Sequence, residues 1–392
     1  MSVSDDTQLA AVGLGLALFA FLVGAGLSGL VRRWAPRLGL VDSPGGRKTH
    51  RAPTPLGGGV AIWLTTVIVL GLGALAISLG RDTLPGPLAV HADGLWSRAG
   101  ELGLILGLAT AVMAMGLADD RVGLGWRLRL AVQVALALIL VLSGIRVTLF
   151  WPFTHPIVGG ALTVLWVVGL TNAFNFLDNM DGLAAGVGLI AALLFAGAQV
   201  AVGGYFVPAV LLVLVGALGG FLVHNRHPAR LFMGDAGSNF LGFLLGALTV
   251  AGTYAKGTSS PFGVLAPLLV MAVPLYDTTS VISIRLREGR SPFQPDRRHF
   301  SHRLVERGLT PQWAVRTIDL VTLAGGLGAL LLHRLDTLGA CVVVAQTACL
   351  LGLVAILEIS AIRPERGHGE AKPGAPRPPE AESSAERRIP AT

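Results

Sequence analysis

Tyr205-Phe-Val-Pro-Ala-Val-Leu-Leu-Val-Leu-Val-Gly-Ala-Leu-Gly-Gly-Phe-Leu-Val223 is an uninterrupted run of uncharged, mainly apolar residues. A helix of about 20 such residues crosses the roughly 30 Å hydrocarbon core of a bilayer. The run therefore predicts a membrane-spanning helix, and similar runs recur along the chain. We interpret eleven segments in this way: residues 9–31, 57–79, 101–118, 127–145, 157–175, 184–202, 205–223, 236–254, 262–284, 313–333 and 337–361.

The composition also favours lipid as the solvent of this protein. Of its 392 residues, 53% are hydrophobic and 14% are charged, whereas about a quarter of the residues in a soluble domain are charged. The predicted fold class is therefore an all-α polytopic membrane protein, with residues 1–362 as one membrane domain. Residues 363–392 are rich in Pro, Glu, Ala, Arg and Ser and predict a disordered tail, because they contain too little apolar surface to form a core.

The positions of Lys and Arg predict how the helices are oriented. If the first helix starts outside, the outside segments carry only Arg81, Arg98, Arg146, Lys256 and Arg334, and the other 25 of the 30 Lys and Arg residues face inside. This positive-inside pattern places the N-terminus outside and the C-terminus in the cytoplasm. It also accounts for the net charge of +7 by topology and attraction to membrane lipids, without a nucleic-acid partner.

Carboxylates lie within or beside the apolar segments on the predicted cytoplasmic side. Ionisable residues at membrane depth are energetically costly and are usually functional. Asp119 and Asp120 end the third segment as an adjacent pair, although a solvated helix end is the alternative interpretation. Asp235 lies between glycines in Phe232-Met-Gly-Asp-Ala-Gly-Ser238, where a helix N-cap would be a purely structural role. For Asp277, within the ninth segment, we expect hydrogen bonding or packing rather than catalysis.

The most specific segment is Asn172-Ala-Phe-Asn-Phe-Leu-Asp-Asn-Met-Asp-Gly182, at the end of the fifth apolar segment. Asn175, Asp178 and Asp181 are spaced three residues apart, so a helical turn would place them on one face and direct their oxygens at a common point. Such oxygens suit Mg²⁺, which prefers carboxylates together with substrate phosphates and water. Asp235 is a further candidate ligand.

Two basic loops on the same side predict phosphate binding. In the first loop, Lys48 and His50 lie in a segment stiffened by Pro and Gly, and Lys48 can act as a point charge on a diphosphate, although a plain cytoplasmic anchor would also be basic. The second loop has histidines among arginines and no nearby cysteine, so phosphate binding or proton transfer fits it better than zinc. Its candidate residues are Arg285, Asp296, Arg298, His299 and His302.

The carboxylates and basic loops together predict magnesium-assisted phosphoryl transfer at the cytoplasmic ends of several helices. Arg129 is placed to reach a phosphate held by a metal on Asp119 or Asp120. A transporter with a carboxylate-lined path is the alternative from another class, and it would need these groups near the bilayer midplane on broken helices. The predicted catalytic residues are Asp119, Asp120, Asp178, Asp181, Asp235, His299 and His302.

These motifs resemble those of the polyprenyl-phosphate N-acetylhexosamine-1-phosphate transferases, the superfamily that also contains phospho-N-acetylmuramoyl-pentapeptide transferase. The resemblance covers about residues 10–360. Its five ordered motifs are Arg47 to His50 with the following Pro and Gly residues, Asp119-Asp120, Asn172 to Gly182, Phe232 to Ser238, and Ser291 to Leu304. It implies a UDP-sugar donor, an undecaprenyl phosphate acceptor, Mg²⁺ or alternatively Mn²⁺, release of UMP, and a site facing the cytoplasm from the bacterial inner membrane.

The resemblance also implies individual roles. Asp181 and Asp235 would bind the metal, Asp119 and Asp120 would lie near the acceptor phosphate, and Asn175 and Asp178 would shape the nucleotide pocket. The residues implied in contacting or positioning the phosphates and the sugar are Lys48, His50, Arg129, Arg285, Asp296, Arg298, His299 and His302.

The last loop distinguishes branches of the superfamily. It lacks the dense histidine run of the pentapeptide-transferring branch, so it favours N-acetylglucosamine-1-phosphate as the transferred group and a starter of cell-surface polysaccharide as the product; the pentapeptide transferase is the alternative. Three positions depart from the common pattern: Ser301 replaces a third histidine, Arg129 a lysine and Asn179 a glycine. The oligomeric state stays open, with a homodimer among the options.

Overall fold

The computed structural model describes residues 3–42, 53–80, 86–148, 155–252, 254, 260–291 and 298–359. Lys48, His50, Asp296 and the predicted tail lie outside the described residues, so what was predicted for them stays a prediction. In chain order the helices of the described part are α1 (Val3–Trp34), α2 (Gly58–Gly80), α3 (Gly86–Ser97), α4 (Ala99–Val122), α5 (Trp126–Leu142), α6 (Pro156–Leu177), α7 (Leu183–Val200), α8 (Phe206–Asn225), α9 (Gly234–Ala251), α10 (Ala266–Val270), α11 (Ala272–Arg287), α12 (Phe300–Glu306), α13 (Pro311–Leu327) and α14 (Thr337–Ile359).

Each of the eleven predicted segments contains a helix, which confirms the all-α polytopic fold. Eight helical spans in the described residues are long and apolar enough to cross a membrane, and α10 with α11 makes a ninth that is bent by 58°. The other two segments correspond to α5, which has 17 residues, and to α9, which begins with polar residues. The count of eleven crossings and their orientation stay predictions.

Two segments predicted to be loops contain helices. Helix α3 lies in the polar connection predicted for residues 80–100, and α12 lies in the second basic loop. Ala92 of α3 is buried and Leu95, one turn later, packs against the core, so this short helix has one apolar face despite its polar neighbours.

Helix α9 is the most enclosed element around the site. Every residue from Ala236 to Thr249 is buried, and α9 is packed by α2, α4 and α6. Small residues let the backbones cross closely: a Cβ at Gly59 of α2 would collide with Gly237 of α9, and one at Gly116 of α4 would collide with the carbonyl of Asp235. These crossings fix the start of α9 against the end of α4.

A short strand pair precedes α2. Strand β1 (Val41–Asp42) pairs with β2 (Thr54–Pro55) in antiparallel fashion. The backbone N–H of Phe232 donates to the carbonyl of Pro55 at 2.9 Å, and that of Gly58 donates to the carbonyl of Phe232 at 2.9 Å. The ends of the segment that holds Lys48 and His50 are therefore anchored beside the chain that leads into Asp235.

Candidate active site

The centre of the site joins four helices through charged and polar side chains. Nη1 of Arg129, in the first turn of α5, donates to the carboxylate of Asp119 at the end of α4 and, at 2.8 Å, to Oδ2 of Asp235 at the start of α9. Nδ2 of Asn175 in α6 donates to Oδ1 of Asp235 at 2.9 Å. One third of the Asp235 side chain is exposed, so this carboxylate remains accessible.

Asp120 binds the N-terminus of α9. Its two oxygens accept the backbone N–H groups of Asp235 at 2.8 Å and Ala236 at 3.1 Å, donors that have no partner within a helix. The N-cap role considered for Asp235 is thus filled by Asp120, and the Asp235 side chain is directed elsewhere. Gly234 has φ +73°, and a Cβ there would lie 2.7 Å from the Asp120 carboxylate, so glycine is required at this turn.

The Asp119–Asp120 pair is not the solvated helix end considered as its alternative. Besides Arg129, Asp119 accepts the backbone N–H of Leu124 at 2.5 Å, and only 7% of its side chain is exposed. Both carboxylates therefore have structural partners as well as a place in the site.

A chain of amide side chains inside the helix bundle is hydrogen-bonded to the backbone of Asp235. Nδ2 of Asn239 donates to the carbonyl of Asp235 at 2.7 Å, Nε2 of Gln133 donates to Oδ1 of Asn239 at 3.1 Å, and Nδ2 of Asn172 donates to Oε1 of Gln133 at 2.7 Å. Gln133 and Asn239 were missed from the sequence. Their polar character inside apolar segments was the available indication.

The predicted continuous helical face of Asn175, Asp178 and Asp181 is wrong, because α6 ends at Leu177 and Gly182 turns the chain with φ +79°. Asp178 follows the helix and accepts a hydrogen bond from the backbone of Gly234. Burial raises the pKa of Asp178 to about 7, and the charges of Asp120 and Asp181 act in the same direction.

Asp181 is held by the turn that follows α8. Nδ1 of His227 lies 2.8 Å from Oδ2 of Asp181, and the backbone N–H of Ala229 donates to the same oxygen at 3.0 Å. His227 was not among the predicted site residues, yet it contacts one of them. The ring of His224 bonds instead to the carbonyl of Ala25 at 3.1 Å. The position of His227 just before the Asp235 motif was the only sequence indication.

The carboxylates offer oxygen donors suited to Mg²⁺, but they do not form a complete protein-only metal cage. Within the described residues no three His, Cys, Asp or Glu side chains converge as a metal site, and Asp181 and Asp235 have separate partners. Mg²⁺ is commonly held by one or two carboxylates plus substrate phosphates and water. The donor chemistry fits this mode, and the metal assignment itself stays a prediction.

The last basic loop returns to its own helix. Asp277 of α11 is 1% exposed. Its Oδ2 lies 2.9 Å from Nδ1 of His299, and its Oδ1 accepts the backbone N–H of Phe300 at 2.6 Å. These contacts confirm the hydrogen-bonding role expected for Asp277. Arg285 is buried, with its guanidinium 5.4 Å from the centre of the Phe176 ring. The His299 ring lies 5.5 Å from the same ring. Since Phe176 follows Asn175, this group adjoins the Asp235 cluster.

The remaining predicted residues of this loop are less enclosed. Arg298 is exposed and forms an ion pair with Glu288, and His302 is half-buried. Arg303 anchors α12 by donating to Ser280 at 2.9 Å and pairing with Glu358 of α14 at 2.9 Å.

Comparison with known proteins gives consistent matches. Residues 102–253 match the family model described as glycosyl transferase family 4. A decaprenyl-phosphate N-acetylglucosaminephosphotransferase of Mycobacterium tuberculosis is 36% identical over 383 residues, covering 88% of this chain and 89% of that protein. A probable undecaprenyl-phosphate N-acetylglucosaminyl 1-phosphate transferase of Bacillus subtilis is 32% identical, covering 77% and 80%. The undecaprenyl-phosphate alpha-N-acetylglucosaminyl 1-phosphate transferase of Escherichia coli K12 is 28% identical, covering 82% and 81%.

Proposed function

This chain belongs to glycosyl transferase family 4, and on that basis we propose that it transfers N-acetylglucosamine-1-phosphate from UDP-N-acetylglucosamine to undecaprenyl phosphate. The products are undecaprenyl-diphosphate-N-acetylglucosamine, a starter for cell-surface polysaccharide, and UMP. The names of the similar proteins support a polyprenyl phosphate as acceptor and N-acetylglucosamine phosphate as the transferred group.

The observation that carries the proposal is the cluster of Asp119, Asp120, Arg129, Asn175 and Asp235 at meeting helix ends. It combines carboxylates with the guanidinium of Arg129. The N–H groups of a guanidinium bind the oxygens of a carboxylate or of a phosphate, so Arg129 can bind a substrate phosphate in place of a carboxylate. A transporter would need such groups at the middle of broken helices, whereas these lie at the start of α5 and α9 and at the end of α4 and α6.

In the reaction, a phosphate oxygen of the lipid attacks the β-phosphorus of the UDP-sugar. A new oxygen–phosphorus bond forms, the bond from that phosphorus to the α,β-bridging oxygen breaks, and UMP leaves with the bond's electron pair. The acceptor phosphate has its second pKa near 6, so it is largely ionised at neutral pH and needs orientation more than deprotonation. Asp119 and Asp120 would contribute to that orientation through Arg129 and the start of α9, which they bind, and Arg129 would neutralise the transferred phosphate.

Asp235 and Asp181 would hold Mg²⁺, which when bound neutralises the diphosphate charge and so favours departure of UMP. Asn175, which donates to Asp235, and Asp178, which accepts from the backbone of Gly234, would bind the nucleotide. His299, which is held by the buried carboxylate of Asp277, and the neighbouring Arg285 would contact or position the donor phosphates and sugar. The other proposed contacts are Lys48, His50, Asp296, Arg298 and His302. The positive-inside pattern supports a cytoplasmic location for this end of the protein in the inner membrane.

The test is an assay of purified protein with radiolabelled UDP-N-acetylglucosamine, undecaprenyl phosphate and Mg²⁺, with extraction of lipid product and measurement of UMP. We expect labelled lipid and UMP in equal amounts, with both lost when the metal is chelated. UDP-N-acetylmuramoyl-pentapeptide and other UDP-aminosugars serve as competing donors. Absence of both products with every donor would exclude the reaction, and flux of substrate across vesicles without chemistry would support a transporter instead.

A further inference from the structure

A hydrogen bond joins the turn that carries Asp178 and Asp181 to the loop that carries His299 and His302. Ser301 of α12 is 1% exposed, and its Oγ donates to Oδ1 of Asn179 at 2.6 Å. Nδ2 of Asn179 donates in turn to the carbonyl of Phe176 at 2.6 Å. The bond therefore connects residues 122 positions apart in the sequence and ties α12 to the end of α6.

The placement of this bond gives it control over site geometry. Asn179 lies between Asp178 and Asp181, while Ser301 lies between His299 and His302. His299 is already fixed to α11 by Asp277. Arg303 holds the same helix against Ser280 of α11 and Glu358 of α14. Ser301 adds the contact with the turn of residues 178–182, from the helical turn that also carries His302. The same bond restrains the turn of residues 178–182.

Loss of either partner leaves the other without this hydrogen bond. A glycine at position 179 would remove the acceptor and leave the Ser301 hydroxyl, which is 1% exposed, buried without it, and an unpaired buried hydroxyl is unfavourable.

From this geometry we infer that Asn179 and Ser301 are a matched pair of positioning residues that aligns the histidine loop with the carboxylate turn during sugar-phosphate transfer. The inference rests on the proposed function for its catalytic consequence. Its structural part, a substrate-independent tie between α12 and residues 178–182, is independent of the reaction.

The test compares Ser301→Ala, Asn179→Gly and the double variant Asn179→Gly/Ser301→Ala. We expect each single variant to lower kcat about tenfold while the donor KM stays within about twofold, because the loss concerns alignment rather than ground-state binding. The double variant is expected to lose no more turnover than either single variant, because all three remove the same hydrogen bond. Ser143→Ala is the matched control, since the Ser143 hydroxyl is exposed and bonds only to its own helix at the far end of α5.

Hydrogen exchange provides the readout that needs no substrate. We expect amides of residues 299–304 to exchange faster in Ser301→Ala than in Ser143→Ala, with the thermal midpoint changed by only a few degrees. Unchanged exchange would overturn the inference, as would turnover losses that multiply in the double variant. Wild-type protein that forms no lipid product, combined with faster exchange in Ser301→Ala, would reject the proposed function and leave the tie established.

Discussion

Asp235 is the residue on which the proposed chemistry depends most. Its two carboxylate oxygens accept hydrogen bonds from Arg129 and Asn175, and one third of its side chain is exposed. Asp235→Asn keeps the shape but removes the charge needed for a metal or for Arg129, so we expect kcat to fall by about 100-fold or more. The measurement is turnover across a magnesium titration, alongside thermal unfolding.

The control for Asp235→Asn is Asp336→Asn. Asp336 is exposed in the connection before α14 and accepts the backbone N–H of Gly339 at 2.8 Å, a bond that asparagine can replace. We expect this variant to retain wild-type turnover. Near-normal activity of Asp235→Asn at low magnesium would refute the ligand role.

Arg129 balances the negative charge of two carboxylates. Arg129→Ala would leave Asp119 and Asp235 close together without their shared cation, and we expect kcat/KM to fall at least about tenfold. Arg129→Lys keeps the charge and is expected to retain activity within about threefold. Steady-state kinetics of both variants, compared with Arg127→Ala, tests this; Arg127 is exposed two residues earlier, 5.4 Å from the Trp126 ring. Equal losses in Arg129→Ala and Arg127→Ala would contradict the assignment.

At the scale of single residues, the sequence singled out side chains that the structure brings together, but not which of them pair. The carboxylates of Asp119, Asp120 and Asp235 were selected because ionisable groups beside apolar segments are costly, Asn175 because of its three-residue spacing, and Arg129 because it could reach a bound phosphate. Their pairing was not predictable, because hydrogen bonds such as that from Asn175 to Asp235 depend on how distant helices cross. The same reason hid the contact of His227 with Asp181.

At the scale of helices, the crossing of α4 and α9 sets the distance between the carboxylate groups. Gly116 allows α4 to lie against the backbone at Asp235, where an added Cβ would collide. We expect Gly116→Ala to lower the free energy of unfolding by about 1–3 kcal/mol and to lower kcat, since Asp119 and Asp120 would move relative to Asp235. Unfolding in detergent and turnover are the measurements.

Gly107 provides the control within the same helix. A Cβ added at Gly107 meets nothing within 4 Å, and alanine is the better helix former, so Gly107→Ala is expected to retain stability and turnover. If Gly116→Ala behaved the same way, the crossing could not be what positions the carboxylates.

Long apolar runs allowed the helices to be predicted, but the positions where helices are interrupted were not predicted. The run over 262–284 was predicted as one continuous span, although Pro274 removes a helical N–H and its ring crowds the carbonyl of Val270, where α10 ends. Helix α3 was hidden by polar neighbours. Helix lengths near the site also shifted: α9 starts at Gly234 rather than 236, because Asp120 on another helix supplies the partners of its first amides. Such caps depend on tertiary contacts.

For the whole molecule, the positive-inside pattern predicts that the active-site end faces the cytoplasm. Single cysteines at Arg226, at the end of α8, and at Thr148, after α5, test this in a background where Cys341 and Cys349 are replaced by serine; both chosen positions are exposed. In intact cells, a membrane-impermeant maleimide should label Thr148→Cys and not Arg226→Cys. Labelling of Arg226→Cys alone would show that the protein has the opposite orientation.

The last basic loop is attached at both ends to helix α11. The loop leaves α11 after Arg287 and is fastened again to the middle of the same helix, where Asp277 holds His299 and Phe300. Both of its ends therefore belong to one rigid support. We expect exchange of the residues between these two attachment points to leave His299 in place. If the proposed function holds, such exchanges should change the preference for the nucleotide sugar without loss of the fold.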